Sequence, residues 1–114
     1  MMGYKVVRIN FDYDLSYKSI SQMGYAEVSY HEKKEAVPEH GCGPLAVFDS
    51  LESAQNFCKL TGLWPDHYRI WLCEYTPSDH KTLWNRFASS NLFPLGTVLA
   101  DSVTLLSEVT HDWL

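Results

Sequence analysis

The chain is short of the features that assign a protein to a class at sight. It holds three cysteines, Cys42, Cys58 and Cys73, an odd number with no C-x-x-C pair, so a disulfide framework is not expected. Reduced thiols in a cytosol fit better. No charge of one sign dominates: nine basic and fourteen acidic residues leave a formal charge of −5. The basic residues are scattered, and the adjacent pair Lys33 and Lys34 lies between Glu32 and Glu35. A surface of this kind repels phosphate backbones, so nucleic acid is not an expected partner. Long apolar runs are missing, and none approaches the roughly 20 residues of a bilayer span. The first residues, "MMGYKVVRINFDYD", lack the apolar core and small-residue cleavage site of a signal peptide. The expectation is a soluble, cytoplasmic chain with no membrane partner. G-x-S-x-G, H-E-x-x-H and Gly-rich phosphate loops are also absent. No cofactor is expected, and an enzyme is not the leading reading.

What is present is a core. At 114 residues and 46% hydrophobic content the sequence has the size and composition of one domain, residues 1–114, that needs no metal or disulfide to hold it. Aromatic residues reach 14%, with four Trp, seven Tyr and five Phe. Such rigid, amphipathic surface suits a core together with an oligomer interface, so a homo-oligomer is expected.

Periodicity orders the chain. "YKVVRI", Tyr4 to Ile9, is β-branched and aromatic and reads as a strand. "NFDYDLS" reads as a reversal, and "YKSISQ" and "YAEVSY" as two further strands, the second alternating Ala26, Val28 and Tyr30 against Tyr25, Glu27 and Ser29. "HEKKEAVPEHGCGP" is a loop with a short strand around "EAV". "LAVF" after Gly43-Pro44 is a strand covered on both faces. Asp49 with Glu52 can form a capping box, with Ser50 as the alternative cap, ahead of a helix whose apolar stripe is Leu51, Ala54, Phe57 and Cys58 and whose terminator is Gly62. "YRIWLCEY", Tyr68 to Tyr75, reads as a central strand. Ser78 caps a second helix over "DHKTLWNRFA". "TVLA" and "VTLLSEV" read as two last strands, joined or bent at Asp101-Ser102. The order implies an α+β fold: a mainly antiparallel, strongly bent sheet with two helices packed on one face.

Candidate chemistry is sparse. "HGCG" places His40 and Cys42 two apart, with His31, His67, Cys73 and His80 elsewhere, which falls short of the paired clusters of a zinc site. Cys42, between two glycines, is the cysteine whose surroundings look exposed, but Glu39 beside it does not supply the electropositive setting of a reactive thiol. An arginine on the first strand, the strand-to-helix unit "VFDSLESAQNF" and a glutamate on a later strand resemble, in topology, the ADP-ribosyltransferase fold. That resemblance implies NAD oriented by Arg8, with Ser19 or Ser21 between, and a cationic sugar stabilised by Glu74. The serine-threonine-serine run and the two closely spaced glutamates of that fold are lacking. The blocks "GPLAVFDSLESAQNF", "WLCEYTPS" and "PLGTVLADSVTLL" resemble a loose group of small prokaryotic and phage proteins, which implies a compact accessory protein and transfers no catalytic residue.

The leading expectation is a non-enzymatic binding protein that takes a nucleotide-type signalling molecule, as a phage counter-defence factor would. Bases stack on aromatic faces and phosphates take Arg or Lys. Tyr4, Arg8, Tyr25, Tyr30, Arg69, Trp71 and Arg86 are the candidate ligand residues. The alternatives are a protein-binding inhibitor or assembly module acting through an exposed aromatic patch, and, as the topological resemblance implies, a degenerate ADP-ribosyltransferase-like NAD-binding domain.

Overall fold

A computed structural model describes residues 1–9, 17–19, 29–38, 43–61, 68–84, 89–90 and 93–109. The two expected long apolar strands form: β1 is Met2–Ile9 and β6 is Tyr68–Pro77. Between them lie β2 (Tyr17–Ser19), β3 (Ser29–Tyr30), β4 (Glu35–Ala36), β5 (Leu45–Phe48) and the helix α1 (Leu51–Thr61). After β6 come β7 (Leu83–Trp84), β8 (Ser89–Ser90) and β9 (Thr97–Glu108).

Strand pairing closes a ring. β6 pairs antiparallel with β1 along Met2–Arg8 and with β9 along Ala100–Glu108, β9 pairs with β5, and β5 returns to β1. The result is a four-stranded antiparallel barrel, with β2 and β3 added outward from β1 and β4 added to β9. One face of β6 puts Trp71, Cys73 and Tyr75 in the barrel interior and the other puts Tyr68 and Ile70 under α1, which is why its apolar side chains need no alternation. β9 is one continuous strand where the sequence suggested two, and a register shift opposite Thr76/Pro77 puts the irregularity at Asp101.

The expected α+β architecture is overturned. The chain is mostly strand, and α1 is the one helix among the described residues. The second expected helix, over "DHKTLWNRFA", does not form where the structure describes it: Asp79–Thr82 is irregular and Leu83–Trp84 is β7, paired with β8. The reason is non-local. The Trp84 N–H donates to the Gly43 carbonyl at 2.7 Å and the Gly43 N–H donates back to the Trp84 carbonyl at 3.1 Å, a reciprocal bridge that holds Trp84 extended. Ser78 accepts the His80 N–H at 3.1 Å and so caps a turn, and His, Thr and Trp have too little helix propensity to compete.

α1 forms as its stripe requires, with the second of the two expected caps. The Ser53 N–H donates to Ser50 Oγ at 3.1 Å, and the Ala54 N–H to the Ser50 carbonyl at 3.2 Å. Asp49 is held elsewhere, its N–H donating to the Gly96 carbonyl at 2.9 Å. Gly96 has φ of +86°, and a Cβ there would come within 2.2 Å of Ser53 Oγ, so this contact requires glycine. Gly62 lies outside the described residues.

Two apolar clusters follow. One fills the barrel interior, with Val7, Tyr30, Val47, Trp71, Tyr75 and Leu105 among its members. The other lies outside the barrel under α1, where Ala54 and Cys58 meet Val6, Phe48, Tyr68 and Ile70. Phe57 joins it half-buried, its ring 5.3 Å from that of Phe48.

Candidate functional site

Among the described residues the barrel interior holds one charge. Lys5 alternates with Val7 on the inward face of β1, is 3% exposed, and extends its Nζ to the Ala46 carbonyl of β5 at 2.5 Å. The ammonium also lies 5.3 Å from the centre of the Tyr30 ring. Burial pulls its pKa down to about 8, offset in part by the Cys73 side chain. The bond lies at the weakest seam of the ring, since β1 and β5 share a single paired position, Tyr4 with Phe48. Lys5 thus supplies a donor to β5 where the ladder supplies few. Gly3 serves the same seam, because a Cβ there would lie 2.8 Å from the Phe48 carbonyl and 2.9 Å from the Tyr75 ring.

Lys5 was not among the candidate residues, yet a signal for it exists. Tyr4 and Val6 make one face of β1 apolar and Val7 makes the other apolar, so a lysine between them has no solvent side to take.

The thiols described are inert. Burial pushes Cys58 and Cys73 each up to about 11, which keeps them protonated at neutral pH. Tyr68, packed beside Cys58, is pushed up to about 12, first by burial and then by the neighbouring sulfur. Among the described residues no group of three His, Cys, Asp or Glu side chains could hold a metal. His40, Cys42 and His67 lie outside them.

The candidate ligand residues do not converge. Tyr30 and Trp71 are buried in the barrel interior. Arg69, on the same face of β6 two residues before Trp71, stands at the barrel mouth and is committed to other groups: its Nε pairs with Glu108 Oε1 at 2.9 Å and its Nη1 donates to the Tyr68 carbonyl at 2.7 Å. Tyr4 packs on the opposite face, against the cluster under α1. The backbone of Arg8 pairs with Tyr68, while Glu74 pairs with Met2 at the far end of the same ladder. Six strand positions separate the two, about 20 Å, too far for both to grip one sugar. Glu74 is exposed. Tyr25 and Arg86 lie outside the described residues, as does Ser21.

A different set does come together. Where β6 ends and β9 begins, Ser78, His80, Lys81, Phe93 and Thr97 line a groove of about 390 Å³ together with Pro77, Val98 and Leu99. Its walls are fixed by backbone: the Ser78 N–H donates to the Leu99 carbonyl at 2.9 Å, and Thr97 Oγ1 donates to the Pro94 carbonyl at 2.7 Å. The His80 ring stands edge-on to Trp84, centroids 4.7 Å apart. Two nitrogen-bearing side chains, the Ser78 hydroxyl and a phenyl ring suit a small ligand with an anionic group and a flat ring. Sequence reasoning missed this set because it assigned Ser78, His80 and Lys81 to a helix.

No protein-family model matches the chain, and neither the curated proteins nor the solved structures contain a match to it.

Proposed function

We propose that the protein is a small non-enzymatic binding protein that captures a compact anionic molecule of nucleotide type in the groove between Ser78–Lys81 and Phe93–Leu99. The observation that carries this reading is that His80, Lys81 and Phe93 line one groove, at the joined ends of the two longest strands. Lys81 meets the anionic group, the Ser78 hydroxyl donates to it, and the ring packs on Phe93. The groove's volume falls in the range of small-molecule sites. Lys5, Cys58 and Cys73 are buried away from it, so the groups that can touch a ligand there are Ser78, His80, Lys81 and Thr97.

The test is calorimetric titration with cyclic nucleotides, NAD derivatives and ADP-ribose isomers. Binding in the micromolar range is expected for at least one, weakened about tenfold or more by Lys81→Glu, since an unlike pair becomes a like one, and unchanged by Arg69→Ala at the barrel mouth. No heat with any of them at millimolar concentration, or binding indifferent to Lys81→Glu, overturns the reading.

A further inference from the structure

The outward face of α1 carries a second groove, of about 510 Å³, bounded by Ser53, Phe57 and Leu60 on the helix and by Pro94 and Leu95 opposite. Two leucines stand on its rim almost fully in solvent, Leu60 at 86% and Leu95 at 90% exposure, the most exposed large apolar side chains within the described part of the chain beyond its first residues. On a helix of 3.6 residues per turn the exposed side divides into two edges. Glu52 and Lys59, two turns apart, define one; Ser53, Phe57 and Leu60 define the other, with Asn56 between.

We propose that this surface is the interface of a two-fold symmetric dimer, in which α1 packs antiparallel against α1 of a second copy about an axis at Asn56. A two-fold axis crossing the helix keeps each edge facing its own kind and reverses direction. Glu52 then meets Lys59 of the second copy, twice, and Leu60 lies over Ser53 of the second copy. Ser53 is small enough to leave room in the groove beside Leu95 and Pro94. The charge pattern selects this occupant: a two-fold axis along the helices would exchange the edges and set Glu52 and Lys59 against the partner's apolar edge. The helix dipoles also oppose, with the acidic first turn of one against the basic last turn of the other. The groove's own lining contains Lys59 and no carboxylate, so the overall charge of −5 is not concentrated where the copies meet. The apolar area is small, which places the dimer in the class that dissociates on dilution.

Sedimentation analysis of the full chain from about 5 μM to about 1 mM tests the proposal against this class of interface. The mass is expected to rise towards twice that of the chain. Leu60→Glu is expected to hold it at the monomer value throughout. Lys59→Glu alone is expected to weaken association about tenfold or more by facing Glu52 of the second copy. The double reversal Glu52→Lys with Lys59→Glu is expected to restore it to within a few-fold, because the crossed pairs are rebuilt with exchanged signs. Thermal melts of each variant confirm that α1 and the barrel remain folded. A chain that stays monomeric at about 1 mM, a dimer untouched by Leu60→Glu, or a double reversal no better than the single one overturns the proposal, and in the first case the leucines serve a different partner.

Discussion

The barrel interior and the layer under α1 are built from similar residues and differ in what they leave available. The interior takes Tyr30, Trp71 and Tyr75 out of solvent and encloses a lysine with them. The outer layer covers Cys58 and Tyr68 but leaves Phe57 half-buried and Leu60 exposed. Aromatic residues enclosed in a closed ring maintain shape, and those at an open margin can meet a ligand or a second chain. High aromatic content alone therefore locates no site here, because Tyr30, Trp71 and Tyr75 are spent inside and Phe48 and Tyr68 are buried under α1.

The sharpest test of that difference is truncation on each side. Tyr30→Ala removes a fully enclosed ring and is expected to cost about 3–5 kcal/mol, while Phe57→Ala, at a margin that can collapse or wet, is expected to cost under about 2 kcal/mol. Urea unfolding of both variants reads the contrast, and equal losses would break it.

Next in size is the charge. A native pKa of about 8 against 10.5 for the free side chain means that the enclosed ammonium costs about 3 kcal/mol at neutral pH. Between those two values the unfolded chain binds the proton and the native chain does not, so stability rises with pH. The thiols act in the opposite sense. Their native values near 11 lie above the ordinary 9.0, so the unfolded chain releases protons first and stability falls above pH 9. Stability of the native sequence is expected to climb between pH 8 and 9 and to decline beyond. Lys5→Met, which keeps the volume and removes the charge, is expected to stabilise the chain at pH 7 by about 1–3 kcal/mol and to abolish the climb. Denaturant midpoints at pH 7, 8 and 9 decide it.

The smallest effect lies at the junction leading to α1. Ser50→Ala is expected to cost about 1 kcal/mol, and Asp49→Ala less, since the Ser50 side chain accepts the helix's N–H while Asp49 contributes its backbone. A reversed order in thermal melts would return the cap to Asp49.

Local signals carried much of the fold. β1, β5, β6 and α1 were readable because each is determined by its own period: a β-branched run, a four-residue apolar run, and a stripe at Leu51, Ala54 and Cys58. Even "EAV" forms its short strand as β4. What could not be read was closure. Nothing local says that β6 pairs on both sides or that β5 reaches back to β1, and without closure Trp71 looks available and Lys5 looks solvated. The missing second helix has the same origin, since Trp84 is held by Gly43, forty-one positions earlier. The candidate groove was hidden behind that one assignment.

β9 is the strand that completes the ring, pairing with β4, β5 and β6 at once, and it comes last of the described strands. Until it emerges from the ribosome, β5 and β6 each present a bare edge, and no earlier piece of the chain can finish folding by itself. Refolding should accordingly proceed on the millisecond-to-second scale of topologies dominated by distant pairings, and a holdase that shields those edges during synthesis would act on the nascent chain at its most vulnerable stage.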